Sequence, residues 1–110
     1  MKTPLSIMLV VLLVGCSKSC PPLVAIVSDA TQTNALRLTC SRQNVSGLTL
    51  HVRGYLDGTG HVFAGNWETQ ALSGTVDWKI YHDWFQPSCT LHYHPVNVRR
   101  GSLSIEYEFH

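Results

Sequence analysis

Polar and apolar residues alternate with a period of two along much of the chain. Leu48, Leu50 and Val52 fall on one side of an extended backbone, with Thr49, His51 and Arg53 on the other. Val76, Trp78 and Ile80 oppose Thr75, Asp77, Lys79 and Tyr81 in the same way. Leu103, Ile105, Tyr107 and Phe109 oppose Ser104, Glu106, Glu108 and His110, the clearest case of the three. Successive side chains of a strand leave opposite faces, so the pattern predicts strands with one buried and one wetted side. Beyond the first twenty residues, no window repeats apolar residues at helical spacing. Shorter extended segments are expected over 24–27, 35–40, 61–64, 67–71 and 89–94.

Turn-forming residues separate these runs: Asp57-Gly58-Thr59-Gly60, Gly65-Asn66, Ser73-Gly74, Gln86-Pro87-Ser88 and the stretch 95–101. Asp-Gly between two alternating runs is the chemistry of a tight hairpin. Pro95 cannot donate a ladder hydrogen bond and ends the strand carrying His92 and His94. The expected fold class is all-β: a small antiparallel β-sandwich of about seven to eight strands, with a small β-barrel as the alternative. All ten aromatic residues lie between Tyr55 and Phe109, which assigns most of the core to the C-terminal half. An immunoglobulin domain does not fit, because Trp67 lies too far from Cys40 and Pro87 stands where a tyrosine corner would be.

The first residues follow different rules. Met1-Lys2-Thr3-Pro4 supplies one cation, and Leu5 to Val14 is a mostly apolar run too short to span a bilayer as a helix. Leu13-Val14-Gly15-Cys16 then resembles the lipobox of bacterial lipoproteins. The resemblance implies cleavage before Cys16, thioether lipidation of that cysteine and acylation of its new amino group. Ser17, where the family's sorting rule places Asp for retention at the inner membrane, implies the outer membrane. Acyl chains contribute about 0.8 kcal/mol per buried CH₂, so such an anchor does not release. The resulting organisation is a signal peptide over 1–15, a lipidated tether over 16–22 and a β-domain over 23–110.

Charge narrows the partners. The chain has 110 residues, with 8 Lys+Arg against 7 Asp+Glu, and only 14% of residues are charged. A near-neutral balance lacks the surplus of cations that a nucleic-acid binder needs. The expected partners are the bilayer, through acylated Cys16, and another protein of the cell envelope.

Four cysteines are present, and giving Cys16 to lipid leaves Cys20, Cys40 and Cys89. An oxidising compartment favours one disulfide. Cys40 alternates with Leu36 and Leu38, and Cys89 with Leu91 and Tyr93, so both point inward. That favours Cys40–Cys89, with pairs involving Cys20 left open.

No recognisable catalytic constellation stands out. A Gly separates Asp57 from Thr59, which spoils the Asp-Thr-Gly motif of aspartic proteases, and no second copy exists. There is no GxSxG elbow, and His82 and Asp83 are adjacent, which sends them to opposite faces. No phosphate-cradling glycine loop and no cofactor motif occurs. His92 and His94 leave the same strand face, and a neighbouring strand carrying Glu106 or Ser104 would complete an open zinc or copper site. The same imidazoles could instead sense pH. Between Trp78 and Pro87 the chain is denser in aromatics than one core strand needs, which makes Tyr81, Trp84 and Phe85 candidate partner contacts. The reading that results is a non-enzymatic binding module of the inhibitor, exclusion or secretion-accessory kind. A metal-binding lipoprotein using His92 and His94 is the alternative, and a small hydrolase the weakest.

Overall fold

Among the described residues, six antiparallel strands carry the structure: β1 (Leu23–Val27), β2 (Asn34–Thr39), β3 (Gly47–Phe63), β4 (Gln70–Asp83), β5 (Ser88–Pro95) and β6 (Gly101–Phe109). The computed structural model describes residues 20–41 and 44–110; the expected leader and Cys16 lie outside them. The strand order is β1-β6-β3-β5-β2, with β4 on the other edge of β3. The expected antiparallel all-β architecture is present, with six strands rather than seven or eight. Two pairs of expected segments have merged: 48–53 with 61–64 in β3, and 67–71 with 75–81 in β4.

The merger in β3 corrects the reading of Asp57-Gly58-Thr59-Gly60 as a hairpin turn. From Leu56 to Thr59 the strand advances three residues, while its partner β4 advances one, from Gly74 to Ser73. Asp57 and Gly58 are therefore a bulge inside one strand. The 95–101 connection clamps it. Asp57 N–H donates to the Arg100 carbonyl (2.9 Å) and Arg99 N–H to the Asp57 carbonyl (2.9 Å). The Asn97 side chain accepts from Thr59 N–H (2.7 Å). Gly58 sits at φ +130, and a Cβ there would overlap the Asn97 carbonyl, so the bulge requires glycine. The Asp-Gly signal was real; its conformational permission serves a corner instead of a turn.

That corner folds the sheet over. Before it, β3 pairs with β6 (Leu48↔Phe109 to Leu56↔Gly101); after it, with β5 (Gly60↔Pro95 to Phe63↔His92). In a flat sheet, Gly47 and Ser88 would stand about 60 Å apart at about 3.3 Å per residue. Yet Asp83, opposite Gly47, connects to Ser88 through residues 84–87 alone, a reach of at most about 17 Å. The second half of β3 must run back over the first. The result is one sheet with two facing halves, close to a barrel, whose inner sides share a core.

β3 and β6 supply much of that core through Leu48, Leu50, Val52, Leu56, Val62, Leu103, Ile105, Tyr107 and Phe109. Leu38, Leu72, Val76, Leu91 and Tyr93 add to it, and among the described residues no polar or charged side chain is buried. Tyr93 keeps its hydroxyl satisfied by donating to the Ala30 carbonyl at 2.6 Å.

The disulfide is Cys20–Cys40, with Cα atoms 5.9 Å apart, which corrects the expected Cys40–Cys89 pair. Register explains the difference. Cys89 stands opposite Leu38, and Cys40 lies two residues further on, past the end of β2, with its N–H bonded to the Pro87 carbonyl at 2.8 Å. Diagonal neighbours of this kind sit roughly 7–8 Å apart, beyond the reach of an S–S bond. Cys89 is a buried free thiol instead.

Candidate functional site

The two inner faces do not close completely beside β4. There a groove with a volume of about 110 Å³ opens to solvent, floored by Val62 and Leu91. Phe63, Trp67, Trp78, Ile80 and His82 form its walls, with Glu68 and Gln70 at the rim. Trp78 and Ile80 point inward as alternation requires, but remain half-buried because, among the described residues, no further strand lies beside β4.

The β3–β4 connection places Trp67. Gly65 (φ +54) makes the turn, and Trp67 N–H donates to the Ala64 carbonyl at 2.9 Å. The indole then stacks on His82, with ring centres 4.0 Å apart and planes 18° apart. Its other contact is edge-on to Trp84 at 5.5 Å. Trp84 is itself fixed by donating from Nε1 to the Ser88 carbonyl at 2.8 Å. A stacked, braced indole keeps its shape when a ligand arrives, which limits the entropy lost on binding.

The candidate partner contacts separate. Trp84 is half-buried and supports Trp67 from behind. Tyr81 lies on the outer face near His110 (5.9 Å between rings) and is 53% exposed. Phe85, in the β4–β5 connection, is 73% exposed. The three do not form one patch.

His92 and His94 do share a side of β5. His92 stacks on Phe63 at 5.1 Å, and His94 stands opposite His61 with Nδ1 3.5 Å from Thr33 Oγ1. The carboxylate imagined beside them is elsewhere. β5 pairs with β2 and β3, not with β6, so Glu106 faces His51 and Ser104 faces Arg53. Among the described residues, no group of three or more His, Cys, Asp or Glu could hold a metal ion.

A polar cluster on the outer face has no signature in the local sequence. His51 Nε2 lies 2.6 Å from Asp77 Oδ1, and the Arg53 guanidinium lies within 3.3 Å of the same imidazole. The hydrogen bond from His51 holds the Asp77 carboxyl below the usual carboxylate range, with the charges of His51 and Arg53 adding to it. Thr49 Oγ1 and His110 Nε2 meet nearby at 2.9 Å. The 26-residue separation of His51 and Asp77 is bridged only by the β3–β4 register, which no local pattern encodes. Burial pushes the Cys89 thiol up to about 11, which removes it from nucleophilic chemistry at neutral pH.

The groove can shelter a flat or branched apolar group against two indoles, while Glu68, Gln70 and His82 offer polar contacts at its edge. No protein family and no curated protein matches the chain. Among solved structures it is similar to the solution NMR structure of a de novo designed double-stranded β-helix, with a TM-score of 0.45 and 8% sequence identity over 82% of this chain and 99% of that one.

Proposed function

We propose that the protein is a lipid-anchored, non-enzymatic binding module of the bacterial cell envelope. In this reading it grips an apolar or aromatic segment of another envelope protein in the groove beside β4. The observation that carries the binding role is the pair of half-buried indoles lining one groove, Trp67 braced by its stack on His82, and Trp78 carried by β4. Half-buried indoles in a pre-shaped recess bury further apolar area at small entropic cost, which is how interface anchors work. The address rests on Leu13-Val14-Gly15-Cys16 and its resemblance to a lipobox.

Both parts are testable in the natural host with the leader intact. Labelled palmitate should enter the wild type and not Cys16→Ser. A photo-crosslinking residue at Glu68, on the groove rim, should give one discrete protein adduct in intact envelopes. That adduct should vanish in Trp67→Ala at a temperature where circular dichroism shows the variant still folded. No discrete adduct, or one indifferent to Trp67, refutes the groove as a binding site. Label that enters Cys16→Ser equally refutes the anchor.

A further inference from the structure

β4 is 14 residues long and pairs only with β3, so among the described residues its other edge faces no strand. Such an edge carries a row of unpaired backbone N–H and C=O groups, and proteins usually blunt it with proline, bulges, inward-pointing charges, short length or exposed charges, Lys above all. Between Thr75 and Tyr81, β4 uses only the last, and its two charges, Asp77 and Lys79, are of opposite sign. Its inward residues there are Val76, Trp78 and Ile80, and the segment contains no proline. The last two are half-buried only because nothing continues the sheet.

The outward residues specify an occupant. Asp77 and Lys79 flank Trp78 symmetrically. If a second copy of the chain pairs antiparallel along this edge about a two-fold axis at Trp78, Asp77 stands opposite Lys79 of the other copy. The relation is reciprocal, so two ion pairs form at once, and Thr75 meets Tyr81 beside each of them. Neighbouring registers fail. An axis at 77 opposes Asp77 to itself, one at 79 opposes Lys79 to itself, and one at 80 sets Asp77 against Asp83. An axis at 76 leaves both charges opposite neutral residues. Registers of the other parity put outward residues against inward ones.

We propose that the chain forms a two-fold homodimer by β4–β4 edge pairing centred on Trp78. The half-sheets of the two copies then continue as one eight-stranded sheet in the order β1-β6-β3-β4-β4-β3-β6-β1. Isologous pairing of this sort uses one self-complementary patch on both subunits. Because Trp78 lies on the axis and also walls the groove, the two grooves meet there. The dimer stands on the free edge and its charge pattern, independently of the membrane anchor.

The test uses the full-length protein in mild detergent, followed by sedimentation velocity and native mass spectrometry. The wild type should be dimeric at about 100 µM. Lys79→Glu and Asp77→Lys each place like charges opposite one another twice, and each should weaken the dimer by roughly tenfold or more. The double variant D77K/K79D restores opposite charges in the same register and should recover dimerisation. Amide exchange along residues 75–81 should slow with concentration in the wild type and not in K79E. A wild type that stays monomeric overturns the proposal, as does a dimer that ignores both single variants. Failure of the charge-swapped double to recover, with its melting temperature unchanged, also overturns it.

Discussion

Two glycines in β3 meet tyrosine rings in similar ways, yet replacing them should differ sharply in cost. A Cβ on Gly60 would lie 2.6 Å from Cε1 and 2.7 Å from the hydroxyl of Tyr93; a Cβ on Gly47 would overlap the ring of Tyr81. Tyr93 is 1% exposed and pinned by its bond to the Ala30 carbonyl, so it cannot step aside without breaking that bond. Overpacking of this kind costs about 1–3 kcal/mol, and the lost buried hydrogen bond costs about 1 more. Restricting the unfolded chain returns about 0.5 kcal/mol. Gly60→Ala should therefore destabilise by roughly 2–3 kcal/mol. For a domain this size that lowers the melting temperature by about 10–20 °C. Tyr81 is mostly in solvent and can swing outward, so Gly47→Ala should stay within about 0.5 kcal/mol of the wild type. Urea unfolding followed by tryptophan fluorescence, with thermal melts by circular dichroism, measures both. In a Tyr93→Leu background the cost of Gly60→Ala should shrink by about 1–2 kcal/mol, the signature of direct contact. Equal costs at the two glycines, or strict additivity with Tyr93→Leu, would refute the reasoning.

Other consequences are as direct. Replacing Cys20 and Cys40 by Ser opens a loop of sequence separation 20 and should cost about 3 kcal/mol by chain entropy, read as a lower urea midpoint with an equal or steeper slope, since the opened chain unfolds further. Cys89 should resist iodoacetamide at pH 8 in the folded protein and react on unfolding. Its raised value means that the fold disfavours the thiolate: stability is unaffected below about 9, then falls as pH rises from 9 toward 11. Cys89→Ala should flatten that alkaline decline, and a decline of the same depth would assign it to other groups.

Much of the fold was legible because alternation is a local property. Leu103 to Phe109 and Leu48 to Val52 bury the side their pattern names, and Val76 to Ile80 turns its named side inward, with Trp78 and Ile80 half-buried. What could not be read was register. Cys40 and Cys89 both point inward, and only the offset of β2 against β5 shows that they miss each other. His92 and His94 share a face as predicted, but which strand lies beside them depends on β3 crossing from β6 to β5 at its corner. Asp57-Gly58 carried a correct statement about backbone freedom and an ambiguous one about use, since bulges and hairpins draw on the same residues. The groove is half visible in the sequence: alternation turns Trp78 and Ile80 inward, and Trp84 belongs to an aromatic surplus that one core strand does not need. Trp67 and His82 meet only because the sheet doubles back.

The Cys20–Cys40 bond has a spatial corollary for a chain moored at Cys16. Only four peptide links separate the proposed fatty attachment from the knot that locks Cys20 against the end of β2, a leash of at most about 14 Å when taut. The molecule would then ride against the headgroups and could not sweep the compartment. Whatever it catches must come to within one domain's breadth of the leaflet, and two copies sharing that leaflet would search for one another in a plane.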